Sequence, residues 1–152
     1  DRDFFDRFID LNMWAPLRLC QLAHPHLAES DNASVVMIGS IDATRPSAGA
    51  ISYGATKAAM AAATVAMAKE WMVDGIRVNQ IDPGLVDTPL AADAVDAVRA
   101  EDAQINMVGR VGRPDEIAGL VHYLVAPVGQ FANGTSYRVD GGALSLGPFD
   151  VR

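Results

Sequence analysis

Three side chains near the middle of this sequence could move a proton at an oxygen atom. Tyr53 and Lys57 stand four positions apart, so on a helix they would lie on the same face. An ammonium beside a phenol favours the phenolate, and a phenol tuned in this way can exchange a proton with a carbonyl or alcohol oxygen. Ser40 ends the apolar run before them and could donate a hydrogen bond to the same oxygen.

Asn12 could add a bound water to this group. Pro16 has no N–H, so it cannot donate to the main-chain carbonyl four residues earlier, which is that of Asn12. A carbonyl without its helical donor, next to an amide side chain, suits a water molecule. The plainer alternative is a kinked core helix in which Asn12 makes only local hydrogen bonds.

The elements that must position these residues alternate between helix and strand. Apolar residues at helical spacing predict a helix over 3–28, with Pro25 marking its end. Further helices are predicted over 52–74, 92–102 and 114–125. The first of these has Ser52 as N-cap and Gly75 as its stop.

Short apolar runs predict strands over 33–39, 76–81 and 136–140, and the breaker Asp82-Pro83-Gly84 ends the second strand. The alternation predicts an α/β fold with a parallel sheet covered on both faces.

Composition excludes several classes of partner and site. The 152 residues are enough for one domain with a core, and the formal net charge is −7 without any basic stripe, so we expect no nucleic-acid partner. Lys57, Lys69 and Glu70 interrupt the most apolar stretch, so we expect no membrane span. The single cysteine, Cys20, allows no internal disulfide and fits a reducing compartment, so we expect a cytoplasmic protein.

A metal site is conceivable at Cys20, His24 and His26. Pro25 separates the two histidines at a helix end, and two or three such ligands do not form a closed shell. We therefore expect no metal, and we expect these side chains to serve packing.

In order and spacing, the motifs of this chain resemble those of the C-terminal part of a short-chain dehydrogenase/reductase. The family's Tyr-x-x-x-Lys is present as Tyr53-Gly-Ala-Thr-Lys57, and its serine and helix asparagine match Ser40 and Asn12. Three further segments match it, and they read Asn79-Gln-Ile-Asp-Pro83-Gly84, Gly109-Arg-Val-Gly-Arg-Pro-Asp-Glu116 and Val139-Asp-Gly-Gly142.

The resemblance implies a role for each matched residue. Asn12, Ser40, Tyr53 and Lys57 would be catalytic, with Tyr53 as general acid/base, Ser40 on the substrate oxygen and Asn12 holding a water in a proton relay through its main-chain carbonyl. Tyr53 and Lys57 would also contact the cofactor, with Lys57 on the nicotinamide ribose. The residues that would wall the nicotinamide and bind its carboxamide are Pro83, Gly84, Val86 and Thr88.

The implied activity is interconversion of a carbonyl and an alcohol by hydride transfer with NAD or NADP. The family's Gly-rich phosphate turn and the residue that selects NAD or NADP have no match in this sequence. We therefore expect residues 1–152 to be the C-terminal part of a single Rossmann-fold domain, a partial doubly wound sheet of three strands that does not bind a dinucleotide productively alone. The alternative is a truncated or non-catalytic chain with a structural, oligomerising role.

The resemblance also indicates which residues would contact the substrate. They would include Ser40, Tyr53 and Leu85, where Leu85 begins a mobile substrate loop that extends to Met107. Asp42 lies where relatives have small or apolar residues and could favour a polar or cationic substrate, although a solvated loop aspartate is the simpler interpretation. Gly39 replaces a serine that is frequent in relatives, and we expect little consequence for the mechanism. The resemblance also implies a homodimer or homotetramer.

Overall fold

A three-stranded parallel sheet forms the centre of the computed structural model, which describes residues 1–147. The strands are β1 (Ser34–Ile38), β2 (Arg77–Pro83) and β3 (Ser136–Val139), in the order β1-β2-β3. The predicted α/β fold and its three parallel strands are confirmed. The predicted domain extends to residue 152, and its last five positions lie outside the described residues.

The second strand ends two residues later than predicted. Asp82 and Pro83 pair with Arg138 and Val139 of β3, so the Asp-Pro-Gly sequence does not end the strand at Ile81. A proline is tolerated here because it occupies the last position, where its missing N–H removes little from the ladder. The extension makes Asp82 part of β2, so that its side chain lies on a face of the sheet.

The predicted long helix is present, with a wider turn inside it. It consists of α1 (Arg2–Ile9), a π-helical segment (Asp10–Trp14) and α2 (Ala15–Ala28). The prediction that Pro25 ends the helix is wrong, because Pro25 lies inside α2. The carbonyl that it leaves without a helical donor belongs to Gln21, an exposed residue, where water can replace the lost bond.

The helix that carries Tyr53 and Lys57 is α3 (Ile51–Trp71), and a 3₁₀ turn over Met72–Asp74 follows it. Gly75 ends this unit with a φ of 72°, as predicted. The prediction of Ser52 as N-cap is wrong. The N-cap is Ala50, without a side-chain cap, and its carbonyl accepts the Gly54 N–H at 2.8 Å.

Helices cover both faces of the sheet, as predicted. α3 packs against β2, and α5 (Pro114–Val125) packs against β1 and β2. Two buried clusters correspond to these faces, one around Met37, Met60 and Val78 and the other around Ile81 and Leu124. A shorter helix, α4 (Ala92–Ala100), precedes α5. No helix within residues 1–147 is long and apolar enough to cross a membrane.

The buried guanidinium of Arg77 ties the α5 side of the sheet together at the beginning of β2. One of its nitrogens donates to the carbonyls of Leu124 and Gly129 at 2.8 and 2.9 Å, and a second approaches Asn32. The Leu124 carbonyl also accepts from Ser34 Oγ, and the Gly129 carbonyl also accepts from the Ala132 N–H. The arginine therefore adds a further hydrogen bond to each carbonyl and links the beginning of β2 to the end of α5. Ser40 and Pro83, which the sequence analysis assigns to the site, lie at the opposite end of the strands.

Candidate active site

The start of α3 is held tightly against the loop that follows β1. A Cβ on Gly54 would lie 3.0 Å from the Asp42 carbonyl oxygen and 2.9 Å from the Pro46 side chain. Only glycine permits this approach. The close packing fixes Tyr53, the preceding residue, next to the loop that begins with Ser40.

Lys57 bridges Tyr53 and the end of β1. Its Nζ lies 5.5 Å from the centre of the Tyr53 ring and donates to the Ile38 carbonyl at 2.8 Å. Burial lowers the pKa of the Lys57 ammonium, and the carboxylate of Asp82 raises it in part. An ammonium has three N–H groups, so two remain for other acceptors once Ile38 has taken one.

Ser40 is buried at the carboxyl end of β1, where its side chain caps a short 3₁₀ turn. Its Oγ accepts the Asp42 N–H at 3.1 Å, and the residue is only 8% exposed. A hydroxyl can accept one hydrogen bond and donate another. The Asp42 contact uses a lone pair, so the Ser40 hydroxyl hydrogen is still available to an incoming oxygen.

Asn12 lies in the π-helical segment and is linked to α3. Its Nδ2 donates to Thr56 Oγ1 at 3.3 Å, and Thr56 Oγ1 donates to the Tyr53 carbonyl at 2.8 Å. Hydrogen bonds in this segment span five residues, as from the Ala15 N–H to the Asp10 carbonyl. Single π-helical turns are frequent at functional sites. The water held by the Asn12 carbonyl stays a prediction.

Two contacts around Tyr53 were not foreseen from the sequence. The Phe8 ring meets the Tyr53 ring edge to face at 6.5 Å. Thr56, whose hydroxyl donates to the Tyr53 carbonyl, is almost fully buried. The apolar periodicity of the first helix includes Phe8, but periodicity alone does not show which ring it faces. The position of Thr56, three residues after Tyr53, was the available signal.

The loop after β2 is held by a short parallel bridge. The Gly112 N–H donates to the Leu85 carbonyl, and the Asp87 N–H donates to the Gly112 carbonyl, both at 2.9 Å. This pairing does not use the N–H of Val86. Gly84 packs so closely on β3 that a Cβ would lie 2.9 Å from the Asp140 Cα. Thr88 has an extended backbone and begins a 3₁₀ turn over Pro89–Ala91.

Asp82 is a functional candidate that the sequence interpretation missed. It is 8% exposed, and its Oδ1 accepts the Gln80 Nε2–H at 2.7 Å. Burial raises the pKa of the Asp82 carboxyl, and the polar groups of Gln80, Ser40 and Ser136 and the charge of Lys57 act in the opposite direction. The local Asp-Pro-Gly pattern resembled a turn and so concealed a buried charge.

The proposed substrate residues differ in what they contact. Asp42 Oδ1 accepts both the main-chain N–H and the hydroxyl of Ser47, at 2.9 and 3.0 Å, which is the arrangement of a loop-shaping aspartate. Leu85 lines a cavity of about 170 Å³ together with Asn106, Arg110 and Glu116. A larger cavity, about 320 Å³, lies near the beginnings of β1 and β2, at the end of the sheet away from Ser40.

One of the two histidines considered as metal ligands, His24, contacts an aspartate and a tryptophan. His24 Nε2 lies 3.1 Å from Asp74 Oδ2, and the His24 ring packs edge to face on Trp71 at 4.8 Å. Within the part of the chain that the structure describes, no group of three or more His, Cys, Asp or Glu residues is arranged to hold a metal ion.

Comparison with known proteins agrees with this geometry. A family model described as enoyl-(acyl carrier protein) reductase matches residues 1–143. A tropinone reductase homolog from Arabidopsis thaliana is 36% identical over 143 residues, which cover 92% of this chain and 46% of that protein. The chain belongs to the short-chain dehydrogenase/reductase family. It spans about half the length of the curated relatives that it matches.

Solved structures of family members share the fold. A mutant short-chain dehydrogenase/reductase from Serratia marcescens is 34% identical, with a TM-score of 0.85 over 94% of this chain and 58% of that one. A 4-hydroxyisoleucine dehydrogenase solved with NADH is 27% identical, with a TM-score of 0.86 over 97% of this chain and 62% of that one. An L-sorbose reductase from Gluconobacter frateurii, solved with NADPH and L-sorbose, is 25% identical, with a TM-score of 0.88 over 96% of this chain and 60% of that one.

Proposed function

We propose that this chain carries the acid/base half of an NAD(P)-dependent oxidoreductase site that interconverts a carbonyl and an alcohol. The observation that carries the proposal is the grouping of Tyr53, Lys57 and Ser40. One helix face presents the phenol and the ammonium, and the buried serine lies at the end of the strand whose carbonyl anchors that ammonium. Family membership supports oxidoreductase chemistry.

Proton transfer is the task of Tyr53. In reduction its hydroxyl gives a proton to the substrate oxygen, and in oxidation its phenolate takes one from the alcohol. The Ser40 hydroxyl donates to the same oxygen and orients it, and Lys57 places a positive charge 5.5 Å from the centre of the Tyr53 ring. Asn12 holds the water that restores the Tyr53 proton from solvent. A nicotinamide dinucleotide, when bound, supplies or accepts the hydride.

The residues after β2 fit the nicotinamide half of such a cofactor. The Val86 N–H takes no part in the bridge to Gly112, and Thr88 adds a hydroxyl two residues later. These two donors suit a carboxamide, and the free N–H groups of Lys57 suit ribose hydroxyls. Pro83 and Gly84 form the wall beside them. Structures of relatives with NADH and with NADPH support the cofactor class, and the choice between the two is left open.

We further propose that residues 1–152 form the C-terminal part of one Rossmann-fold domain. The three strands described here would complete a larger doubly wound sheet whose other strands hold the cofactor phosphates. This chain alone would then not bind the dinucleotide productively. Micromolar binding of NADH or NADPH by the 152-residue chain would contradict that proposal.

The decisive experiment replaces Tyr53 by Phe in the full-length protein. We expect Tyr53→Phe to lower the rate of NAD(P)H-linked turnover by about 10² to 10⁴-fold, because the general acid is lost, while NAD(P)H fluorescence shows nearly unchanged binding. Tyr123→Phe, the same chemical change on the exposed face of α5, is the matched control and should leave both unchanged. Retained turnover in Tyr53→Phe would refute the acid/base role.

A second candidate is a non-catalytic family member that serves only as a structural subunit. The observation that favours it is the row of exposed apolar side chains on the first helix, among them Leu11, Trp14, Leu19 and Leu22. Such a face suits pairing with a second subunit in either case. Cofactor binding without any turnover by the wild-type full-length protein would favour this candidate.

A further inference from the structure

A buried carboxylate lies behind the proposed proton-transfer group and is not one of its proposed members. Asp82 is the next-to-last residue of β2, and its side chain lies on the sheet face that α3 covers, together with Gln80. Its carboxylate lies against Gly39. This glycine stands between Ser40 and Ile38, the residue whose carbonyl accepts from the Lys57 ammonium.

The sequence makes room for this carboxylate at the neighbouring strand. A Cβ on Gly39 would lie 2.0 Å from Asp82 Oδ1 and 2.5 Å from Gln80 Nε2. Any side chain at position 39 would therefore displace the carboxylate or its amide partner. The sequence interpretation expected Gly39 to have little consequence for the mechanism. The structure shows that the Asp82 carboxylate can occupy its position only because residue 39 has no side chain.

Charged and polar groups from every surrounding element face Asp82. β2 supplies the Gln80 amide, the end of β1 supplies the Ser40 main chain, and β3 supplies the Ser136 hydroxyl. α3 supplies the one cation, Lys57. Burying a carboxylate costs free energy unless such groups compensate it, and here burial still outweighs them, because the pKa of the Asp82 carboxyl is raised.

We propose that Asp82 is a positioning residue of the active site, which acts on Tyr53 through Lys57 and on the substrate oxygen through Ser40. Its charge keeps the partly buried Lys57 side chain in the ammonium form, and its contact with the Ser40 main chain fixes the strand end that carries the serine hydroxyl. The inference rests on the proposed function for its catalytic meaning. The coupling between Asp82 and Lys57 can be measured without turnover.

The test follows the titration of Lys57 by NMR in the full-length protein with ¹³C-labelled lysine. We expect Asp82→Asn to shift the Lys57 titration to lower pH by roughly 0.5 to 1 unit, because the anion that favours the ammonium is gone. Lys69, the other lysine among these 152 residues, is an internal reference. Asp74→Asn, which removes the same charge near the beginning of β2, should leave the Lys57 titration in place. An unshifted Lys57 titration in Asp82→Asn would overturn the proposal.

A reciprocal measurement covers the case in which Asp82→Asn does not fold. Lys57→Met removes the cation but leaves the hydrogen bonds to Asp82 intact. Its Asp82 carboxyl, followed by ¹³C NMR, should titrate at higher pH than in the wild type, because the charge that stabilised the carboxylate is lost. An unchanged Asp82 titration would contradict the coupling.

Kinetics then separate this inference from the proposed function. In the wild type, the alkaline limb of the pH profile for alcohol oxidation should report loss of the Lys57 proton. Asp82→Asn should move that limb to lower pH by the shift seen in the NMR titration. If Asp82→Asn lowers the rate but leaves the alkaline limb of the pH profile at the same pH, Asp82 has only a structural role. If Asp82→Asn shifts the Lys57 titration but the wild-type protein shows no turnover, the coupling between Asp82 and Lys57 stands and the oxidoreductase proposal is refuted.

Discussion

Gly39 and Asp82 share one small space between neighbouring strands. The Asp82 carboxylate and the Gln80 amide occupy the volume that a side chain at position 39 would need. These two side chains are joined by a hydrogen bond of 2.7 Å, so neither can move without breaking it. The absence of a single methyl group therefore determines whether the carboxylate lies behind Ser40.

We predict that Gly39→Ala destabilises the fold by about 1–3 kcal/mol, the usual range for overpacking a core. Urea unfolding would measure this loss of unfolding free energy. In the double variant Gly39→Ala with Asp82→Ala, the loss should be smaller than the sum of the two single losses, because the collision with the Asp82 carboxylate is removed and the Gln80 amide is released from it. Gly119→Ala is the control: apart from its chain neighbours and the backbone of α5 itself, nothing lies within 4 Å of its Cβ position, so it should be neutral or stabilising.

Residue spacing allowed part of the site to be predicted. Tyr53, Lys57 and Ser40 follow local rules, since i, i+4 places two on one helix face and a strand end supplies the third. Asp82, Phe8 and Thr56 could not be assigned from local pattern. Their contacts depend on which side chains from neighbouring elements meet, and this is decided by the packing of α1, α3 and β2.

At the level of elements, a charge network at the start of α5 holds the loop that follows β2. Arg110 donates two hydrogen bonds to the Glu116 carboxylate, at 2.9 and 2.6 Å, and the Arg113 N–H donates a third at 2.8 Å. Gly112 lies between the two arginines and bridges to Val86. The network therefore connects the first turn of α5 with the residues after Gly84.

Glu116 should make stability depend on pH in the acid range. The hydrogen bonds from Arg110 and the Arg113 N–H lower the pKa of the Glu116 carboxyl to about 2, from an ordinary value of 4.5. A carboxyl with a lowered pKa adds stability above its unfolded pKa, and that stability is lost as the pH falls through the folded pKa.

We therefore predict that Glu116→Gln lowers the unfolding free energy most at pH 5 and above, and that this deficit shrinks between about pH 4.5 and 2. Urea unfolding at a series of pH values would measure it. Glu70→Gln, which removes an exposed glutamate from α3, should show no such dependence. A deficit that is constant over the whole range would contradict the assignment.

Element order was predictable because hydrophobic periodicity and breakers are local signals. The residues at which elements begin and end were harder to predict, and Pro25 and Ser52 show why. A proline inside a helix costs less where the orphaned carbonyl faces water, and α3 begins where Gly54 can pack on the preceding loop. Both outcomes depend on the surroundings of the residue and not on its type. The π-helical segment had no predicted counterpart.

For the whole molecule, the first helix presents an apolar surface that the described residues do not cover. Leu11, Trp14, Leu19 and Leu22 are 75%, 60%, 66% and 55% exposed. Exposed apolar groups in this number and proximity are typical of an interface. We therefore propose that this helix contacts a second subunit.

We predict that Leu22→Glu in the full-length protein dissociates an oligomer into smaller units at micromolar concentration, because a charge would be buried at the interface. Light scattering would measure the mass. Leu90→Glu, the same change at another highly exposed leucine, should leave the mass unchanged. A wild-type protein that is monomeric at the same concentration would contradict the interface.

The π-helical segment over Asp10–Trp14 sets the rotational phase between the two halves of the first helix. An α-helix advances by about 100° per residue, so the wide turn works as a one-residue insertion that changes which side chains of α1 face α3. Removing one residue from this segment would restore a regular helix and swing Phe8 away from the Tyr53 ring, which it now meets at 6.5 Å. The exposed Leu19 and Leu22 on α2 would keep their direction. One extra residue in a helix thus lets one half of the same helix face Tyr53 while the other half presents the exposed apolar side chains proposed for subunit contact.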